Sequence, residues 1–314
     1  MIVDLYAKTD IGRVRQGNED NLLVLDLSSA RSWAGTDGVR PPEELCRVKV
    51  GGEGIVLVVS DGMGGALAGD VASRMAVETV RDLLVESNAD EANKRGKSNG
   101  EDATLIDRLR DATVYANLAI HHRGQEDARY AGMGATFTGA AITNGTLDLL
   151  QVGDSRAYVV RGSEIKQATK DQSLVQQLVD VGQISEEEAE THMFRNVILQ
   201  ALGAQGELAP VTVRVRVSQG DMLLLCSDGL SGKLRAEDMQ IILEASGGDM
   251  IKACDKLIDE ANSRGGEDNI TVLLARFTGD DIPAPDSDPI TVELPYMEDD
   301  TTFSGDEENA TAQL

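Results

Sequence analysis

The chain has 314 residues and carries 29 Lys and Arg against 54 Asp and Glu, a formal net charge of −25. That balance argues against nucleic acid and anionic membranes as partners, because both demand a basic footprint. Three cysteines, Cys46, Cys226 and Cys254, are widely spaced and include no CxxC pair. They argue against a disulfide framework or a cysteine-based zinc site and suit a reducing compartment.

The acid excess is uneven. Residues 280–314 hold eleven Asp and Glu and no Lys or Arg, leaving 43 acids against 29 bases before them. Hydrophobic content of 41% supports a proper core, but aromatics are only 3%, so Val, Leu, Ile, Ala and Met must fill it. The first residues lack the basic-then-apolar pattern of a secretion signal. The strongest apolar run, Ile55–Val59, is far too short to span a bilayer. The expectation is a cytoplasmic protein with no membrane segment. The three histidines (His121, His122, His192) form no HExxH, and neither GxSxG nor GxxxxGK[ST] occurs. These absences argue against histidine-bound zinc, a serine elbow and a P-loop.

In chain order, Ile55–Val59 is predicted to be a buried strand. Ala72, Met75, Ala76, Thr79, Val80, Leu83 and Leu84 recur at helical spacing and predict an amphipathic helix. The polar stretch 89–102, with Gly96, Ser98 and Gly100, reads as a loop, and Ile106, Leu109, Thr113, Ala116 and Ile120 mark a second helix. Thr146–Val152 and Ala157–Val160 flank Gly153-Asp154-Ser155-Arg156 and suggest a hairpin. Leu174–Val181 and Ser185–Thr191 read as a short helical pair joined at Gly182. Val211–Val217 alternates strictly, as a half-buried strand does, and a turn at 218–221 leads into a strand over Met222–Cys226. Ile251, Cys254, Ile258 and Ala261 form another helical stripe, and Ile270–Phe277 a last strand. The βαβ alternation of a doubly wound fold is poor. The pattern predicts instead antiparallel sheets covered by helices, an α+β sandwich.

After residue 278 the character changes. Four of the seven prolines (Pro283, Pro285, Pro289, Pro295) fall there with the eleven acids, and residues 279–314 are expected to form a disordered tail. Ile290, Val292, Leu294, Tyr296 and Met297 alternate within it, so docking of that stretch is the competing reading.

Four motifs set acidic residues at strand ends: Asn18-Glu19-Asp20-Asn21, Ser60-Asp61-Gly62-Met63-Gly64-Gly65, Ser227-Asp228-Gly229 and Glu267-Asp268-Asn269. Two SDG turns after apolar runs suggest a shared centre, with glycine allowing the backbone to turn sharply. If the carboxylates converge, each pair at ~4 Å repels by ~4 kcal/mol at an effective dielectric of about 20. Such a site requires protons or cations, and oxygen-only ligands suit Mg²⁺ or Mn²⁺ rather than zinc. Two such ions activate water and clamp a phosphoryl group.

Six motifs then occur in order: Gly12-Arg13-Val14-Arg15-Gln16-Gly17-Asn18-Glu19-Asp20, Asp61–Gly65 with Gly69-Asp70-Val71-Ala72-Ser73, Gly132–Thr136, Gly153–Arg156, Ser227–Leu230 and Gly266–Thr271. Together, over roughly residues 5–277, they resemble the metal-dependent Ser/Thr protein phosphatases of type 2C in their bacterial form. The resemblance implies a four-layer α-β-β-α sandwich over residues 1–278, with a helical flap at about 171–203. It implies Asp61 as the carboxylate bridging two metals, with the Gly62 carbonyl, Asp20, Asp228 and Asp268 as further ligands. Glu19 is implied as an acid orienting water, and Arg15 as the phosphate-binding arginine. A weaker third ion is implied near the Gly-Met-Gly. The usual spacing lands on Arg129, which leaves Asp127 as the candidate ligand. Met63, Ala135, Gln172 and Gly232 stand where the family commonly has His, Thr, His and Asp.

The activity implied is hydrolysis of phosphoserine and phosphothreonine on proteins by a water bridging two Mn²⁺ or Mg²⁺ ions. It would oppose a Ser/Thr kinase, with that kinase and its targets as substrates, and the protein is expected to act as a monomer. The alternative is a catalytically weak module that binds phosphoproteins. A calcium-binding reading is weaker, since the DxDxDG spacing is missing. His192 and Arg195 of the flap are expected to pack rather than touch substrate.

Overall fold

A computed structural model describes residues 1–35, 40–65, 68–94, 103–143, 145–285 and 288–293. In chain order the elements are β1 (Ile2–Asp10), β2 (Asp20–Asp26), β3 (Arg31–Ala34), α1 (Glu43–Cys46), β4 (Arg47–Lys49), β5 (Ile55–Met63), α2 (Ala68–Lys94) and α3 (Leu105–Glu126). There follow β6 (Gly134–Ala135), β7 (Phe137–Thr143), β8 (Thr146–Val152), β9 (Arg156–Arg161), β10 (Glu164–Gln167), α4 (Leu174–Asp180) and α5 (Glu186–Thr191). The chain continues through β11 (Val211–Arg216), β12 (Met222–Cys226), α6 (Asp228–Ser231), α7 (Ala236–Ala245), α8 (Met250–Ser263), β13 (Ile270–Thr278) and β14 (Val292–Glu293).

The strands pair antiparallel in two sheets, ordered β10-β9-β12-β13-β1-β4 and β14-β11-β8-β7-β5-β2-β3, with β6 beside the end of β5. Side chains alternate across each strand, so one run serves two cores. In β2, Leu22 and Val24 face the opposite sheet, whereas Leu23 and Leu25 face α2 and α3. In β5, Ile55, Leu57 and Val59 point inward and Val56 and Val58 outward. Burial on both faces explains why these strands read as unbroken apolar runs. The outer face of the other sheet packs Tyr6, Leu224 and Leu274 under α7 and α8, through Met239, Leu243, Cys254 and Leu257. The result is the expected α-β-β-α sandwich. Its α3 starts at a capping box, in which the Thr104 hydroxyl accepts from Asp107 N–H and the Asp107 carboxylate accepts from Thr104 N–H.

Three expectations are corrected. Thr146–Val152 and Ala157–Val160 are not a hairpin: β8 pairs with β7 and β11, while β9 pairs with β10 and β12 in the other sheet. Both strands are apolar on both faces, so periodicity does not distinguish one sheet from two. Gly153, at φ 94°, turns the chain across the gap. Of the loop expected over 89–102, residues 89–94 are helical instead, because α2 continues to Lys94, and residues 95–102 lie outside the described residues.

The third correction concerns the segment after 278. Ile282 and Ile290 are 5% and 1% exposed and join the core between the sheets. Val292 and Glu293 add a short strand to β11, opposite Val215 and Arg214. Gln219 N–H donates to Pro283 O at 2.9 Å, the Lys166 ammonium donates to Ile290 O at 2.8 Å, and Asp281 pairs with the Met1 amino group. Average composition over a long segment hides two well-placed isoleucines that fill the open end of the sandwich. The rest of the expected tail, with Leu294, Tyr296 and Met297, lies outside the described residues.

Ile290→Ala should therefore lower stability by about 2–5 kcal/mol, the range for a buried Ile truncated to Ala. Urea unfolding followed by circular dichroism measures it. An unchanged midpoint would mean that this segment does not dock in solution.

Candidate metal centre

The carboxylates come from both sheets and meet at one end of the sandwich. In the eight-stranded sheet, the register of β2 against β5 sets Asp20 directly beside Asp61. In the other sheet, β12 ends at Cys226, so Asp228 opens α6, and Asp268 stands just before β13. The loop after β1 brings Arg15 to the same place. A cavity of about 500 Å³ results, lined by Arg15, Glu19, Asp61, Asp154, Asp228 and Asp268, with Met63 and the flap residues Asn196, Val197 and Ile198 at its walls.

Close backbone approach makes this convergence possible. A Cβ on Gly62 would lie 2.2 Å from Gly69 O, and one on Gly69 would lie 2.2 Å from Glu19 Oε2. The glycine at 69 thus gives the Glu19 carboxylate its room. Glu19 is 6% exposed. Its N–H donates to Asn269 Oδ1 at 2.8 Å, while its carbonyl accepts from Gly62 N–H at 3.1 Å and from the Ser73 hydroxyl at 2.5 Å. Asn269 also donates to Ile11 O and Gly17 O, tying down the Arg15 loop.

Asp20 lies beneath the cavity, 5% exposed. Its Oδ2 accepts from the Ser227 and Thr271 hydroxyls, both at 2.7 Å, but its Oδ1 has no hydrogen-bond partner. Oδ1 of Asp228 is likewise buried and unpartnered. Burial pushes the Asp20 carboxyl up to about 7, against the two hydroxyls, and the charges of Asp228 and Asp268 add to the rise. Burial also raises Asp61, with Asp20, Asp228 and Asp154 adding repulsion. Asp228 is raised by burial and by Asp268. Burial lifts Glu19, with Arg15 opposing. Orphaned buried carboxylate oxygens are costly, and a hard divalent cation is the partner that an all-oxygen donor set fits. Among the described residues, no three acidic, histidine or cysteine side chains are already drawn together as a closed cage. The carboxylates surround the cavity instead of meeting at a point.

Arg15 Nη2 lies 2.7 Å from Asp268 Oδ2, and its side chain is 45% exposed. The structure thus brings together Arg15, Glu19, Asp20, Asp61, Gly62, Asp228 and Asp268. Asp127 is the exception. It does not line the cavity, and the Arg129 guanidinium grips its carboxylate at 2.6 and 3.0 Å, holding it down at about 2. Arg129, at the position where the resemblance leads one to expect an acid, is thus itself the partner of the Asp127 carboxylate. His192 accepts from Phe194 N–H within the flap, and the flap's cavity wall is 196–198 rather than His192 or Arg195.

The sequence marks Gly153-Asp154-Ser155-Arg156 as a motif but gives Asp154 no role. Asp154 lines the cavity, and burial together with Asp228 pushes its carboxyl up to about 8. The signal was available: it is another Gly-Asp turn after an apolar strand. Thr136, 1% exposed, was also unassigned, and its hydroxyl accepts from Asp61 N–H at 2.9 Å.

Comparison with known proteins agrees with this arrangement. The sequence profile of protein phosphatase 2C matches residues 44–274. A serine/threonine phosphatase, stp, of Listeria welshimeri is 35% identical over 267 residues, covering 85% of this chain and 93% of that protein. The crystal structure of the serine/threonine phosphatase Stp1 from Staphylococcus aureus superposes with a TM-score of 0.72 at 30% identity, covering 88% of this chain and 96% of that one. The catalytic domain of the serine/threonine protein phosphatase PstP, solved with two manganese ions, superposes with a TM-score of 0.67 at 31% identity, covering 88% and 99%.

The raised carboxyls make a pH-dependent contribution to stability with a definite sign. Asp20 and Asp154 bind protons in the folded state up to about 7 and about 8, whereas an unfolded Asp releases its proton near ~3.9. Their contribution is complete below the unfolded value and is lost as pH rises through 7 to 8. The melting temperature of metal-free Asp20→Asn should therefore gain on wild type as pH goes from 5 to 8, and Mn²⁺ should stabilise wild type most at the upper end. A gap between variant and wild type that stays constant with pH would contradict this.

Proposed function

The chain belongs to the protein phosphatase 2C family, and from that premise we propose that it hydrolyses phosphoserine and phosphothreonine on proteins with the help of divalent metal ions. One observation carries the reading. Carboxylates from both sheets meet in one cavity, two of their buried oxygens lack partners, and an arginine stands at the rim.

In this reading Asp61, the Gly62 carbonyl, Asp20, Asp228 and Asp268 hold two ions, Mn²⁺ or Mg²⁺. When bound, the ions supply Lewis-acid stabilisation of phosphoryl charge and a water-derived nucleophile at neutral pH. Arg15 binds two phosphoryl oxygens in the planar fork that a guanidinium offers, and it meets the charge that grows on them. Its exposed side chain is free to turn from Asp268 toward an anion entering the cavity. Glu19, buried beside Arg15, accepts a hydrogen bond from water in the cavity and fixes its orientation. A thiolate nucleophile is disfavoured: Cys226 is wholly buried and its thiol is pushed up to about 12 by that burial.

Substrates on this reading are phosphoproteins, a Ser/Thr kinase and its targets among them. We place the protein in the cytoplasm as a monomer. No helix among the described residues is long and apolar enough to cross a membrane. Residues 1–278 form the catalytic unit with the flap at 171–203, to which the docked segment through Glu293 belongs.

With Mn²⁺, wild type should hydrolyse both an aryl phosphate and a phosphothreonine peptide. Asp61→Asn should lose at least about a hundredfold in kcat, given that even outer partners of a metal ligand carry 10–100-fold. Equal turnover by the two proteins would refute the reading. Arg15→Ala should raise KM and lower kcat together, and Arg15→Lys should recover only part, because an ammonium lacks the bidentate fork.

A further inference from the structure

We propose that Gln172 is a positioning residue that couples the flap to the Asp154 loop at the floor of the cavity. The proposal rests on the phosphatase reading above and adds to it a route by which a substrate lying against the flap is sensed at the site.

The flap leaves and rejoins the domain through a narrow neck. Leu174 N–H donates to Val197 O at 2.9 Å, Ser173 bridges Ile198, and Leu199 N–H donates to Gln172 O at 2.8 Å. The returning strand of that neck, residues 196–198, is the flap's wall of the cavity. Gln172 also faces the opposite way. Its Oε1 accepts from Gly153 N–H at 2.8 Å, and its own N–H donates to Gly153 O at 2.9 Å. One residue therefore holds the neck on one side and the start of the Gly153–Arg156 loop on the other. The neighbouring Asp171 holds the loop's far end, through a bidentate pair with Arg156 at 2.7 and 2.9 Å.

The loop itself cannot yield independently. Gln151 Nε2 donates to Gly153 O at 2.9 Å and to Ser155 O at 2.6 Å, on either side of Asp154. Thr138 Oγ1 lies 2.8 Å from both Ser155 O and Gln151 Oε1, which share its single proton. The Ser155 hydroxyl lies 2.7 Å from Thr136 Oγ1, which in turn accepts from Asp61 N–H. Thr136, Thr138, Gln151 and Ser155 are all at most 2% exposed. A buried polar network in which each member is satisfied is stiff, because any slip strands a donor or acceptor away from water. A Cβ on Gly153 would stand 2.8 Å from Thr136 Cγ2, so the loop is also wedged against Thr136 sterically. Displacement of the flap neck must then either break the Gln172 bonds or carry the Asp154 carboxylate with it, and with it the backbone support of Asp61.

Gln172→Leu removes the side-chain acceptor and leaves the Gly153 N–H unpaired. Gln172→His restores an acceptor, since a neutral imidazole nitrogen can take that bond. On this proposal a phosphothreonine peptide extends beyond the cavity onto the flap, whereas a small aryl phosphate meets the flap only at the cavity wall of residues 196–198. With saturating Mn²⁺, Gln172→Leu should lower kcat/KM on the peptide roughly tenfold more than on the aryl phosphate, within the 5–150-fold span of typical site-to-site coupling. Gln172→His should recover most of the difference. A purely structural role would lower kcat on both substrates by one factor through the active fraction. Hydrogen exchange on the metal-free protein gives a second readout: peptides covering 150–157 should exchange faster in Gln172→Leu and return toward wild type in Gln172→His. An unchanged substrate ratio, or unchanged exchange over 150–157, overturns the proposal. Wild type that turns over neither substrate overturns the phosphatase reading, and the proposal with it.

Discussion

Burying like charges at the ends of strands is the constraint on which the rest of this structure depends. Asp20, Asp61, Asp154 and Asp228 are withdrawn from water by β2, β5, the β8–β9 turn and α6, and every one of them has its carboxyl raised as a result. Such groups persist only where a rigid scaffold holds them against their own repulsion. Two sheets provide it. Neither sheet alone carries the full set, so the packing of Leu5, Leu22, Leu57 and Phe277 between them also sets the geometry of the site. The closely approached glycines at 62, 69 and 229 serve the same end, since a Cβ at any of them would meet another backbone or the Glu19 carboxylate.

Much of this was legible in the sequence because the chemistry is local. An Asp-Gly after a continuous apolar run announces a carboxylate at a strand end, and it did so for Asp61 and Asp228. Helical periodicity likewise locates α2, α3 and α8. What was not legible was relational. Strands apolar on both faces carry no mark of which sheet they join, so β8 and β9 were read as partners. Ile282 and Ile290 are isolated among prolines and acids, and their burial depends on an opening elsewhere in the fold. Spacing lands on Arg129 and leaves Asp127 as the nearest acid offered, but that same arginine claims its carboxylate. Asp154 went unassigned because its motif reads equally well as a turn.

The polar interior divides into two kinds. Around Gln151 and Thr138, every buried hydroxyl and amide has a partner, which stiffens the floor of the cavity. Around Asp20 and Asp228, oxygens are left over. The first kind specifies shape and the second specifies a ligand. Their junction is Thr136, which touches Asp61 on one side and Ser155 on the other.

The short strand β14 has a consequence beyond the core that it helps to close. Without it, β11 would present an open edge of alternating valines, Val211, Val213 and Val215, as a template for another chain's backbone. Among the described residues β14 covers Arg214 and Val215 of that edge, and it follows Pro289-Ile290-Thr291 in the chain. Pro289, just before it, has no N–H to donate to a further ladder. The segment that composition marked as a solvated appendage thus also guards the sheet against self-association, and chains cut short before it would be expected to stick to one another.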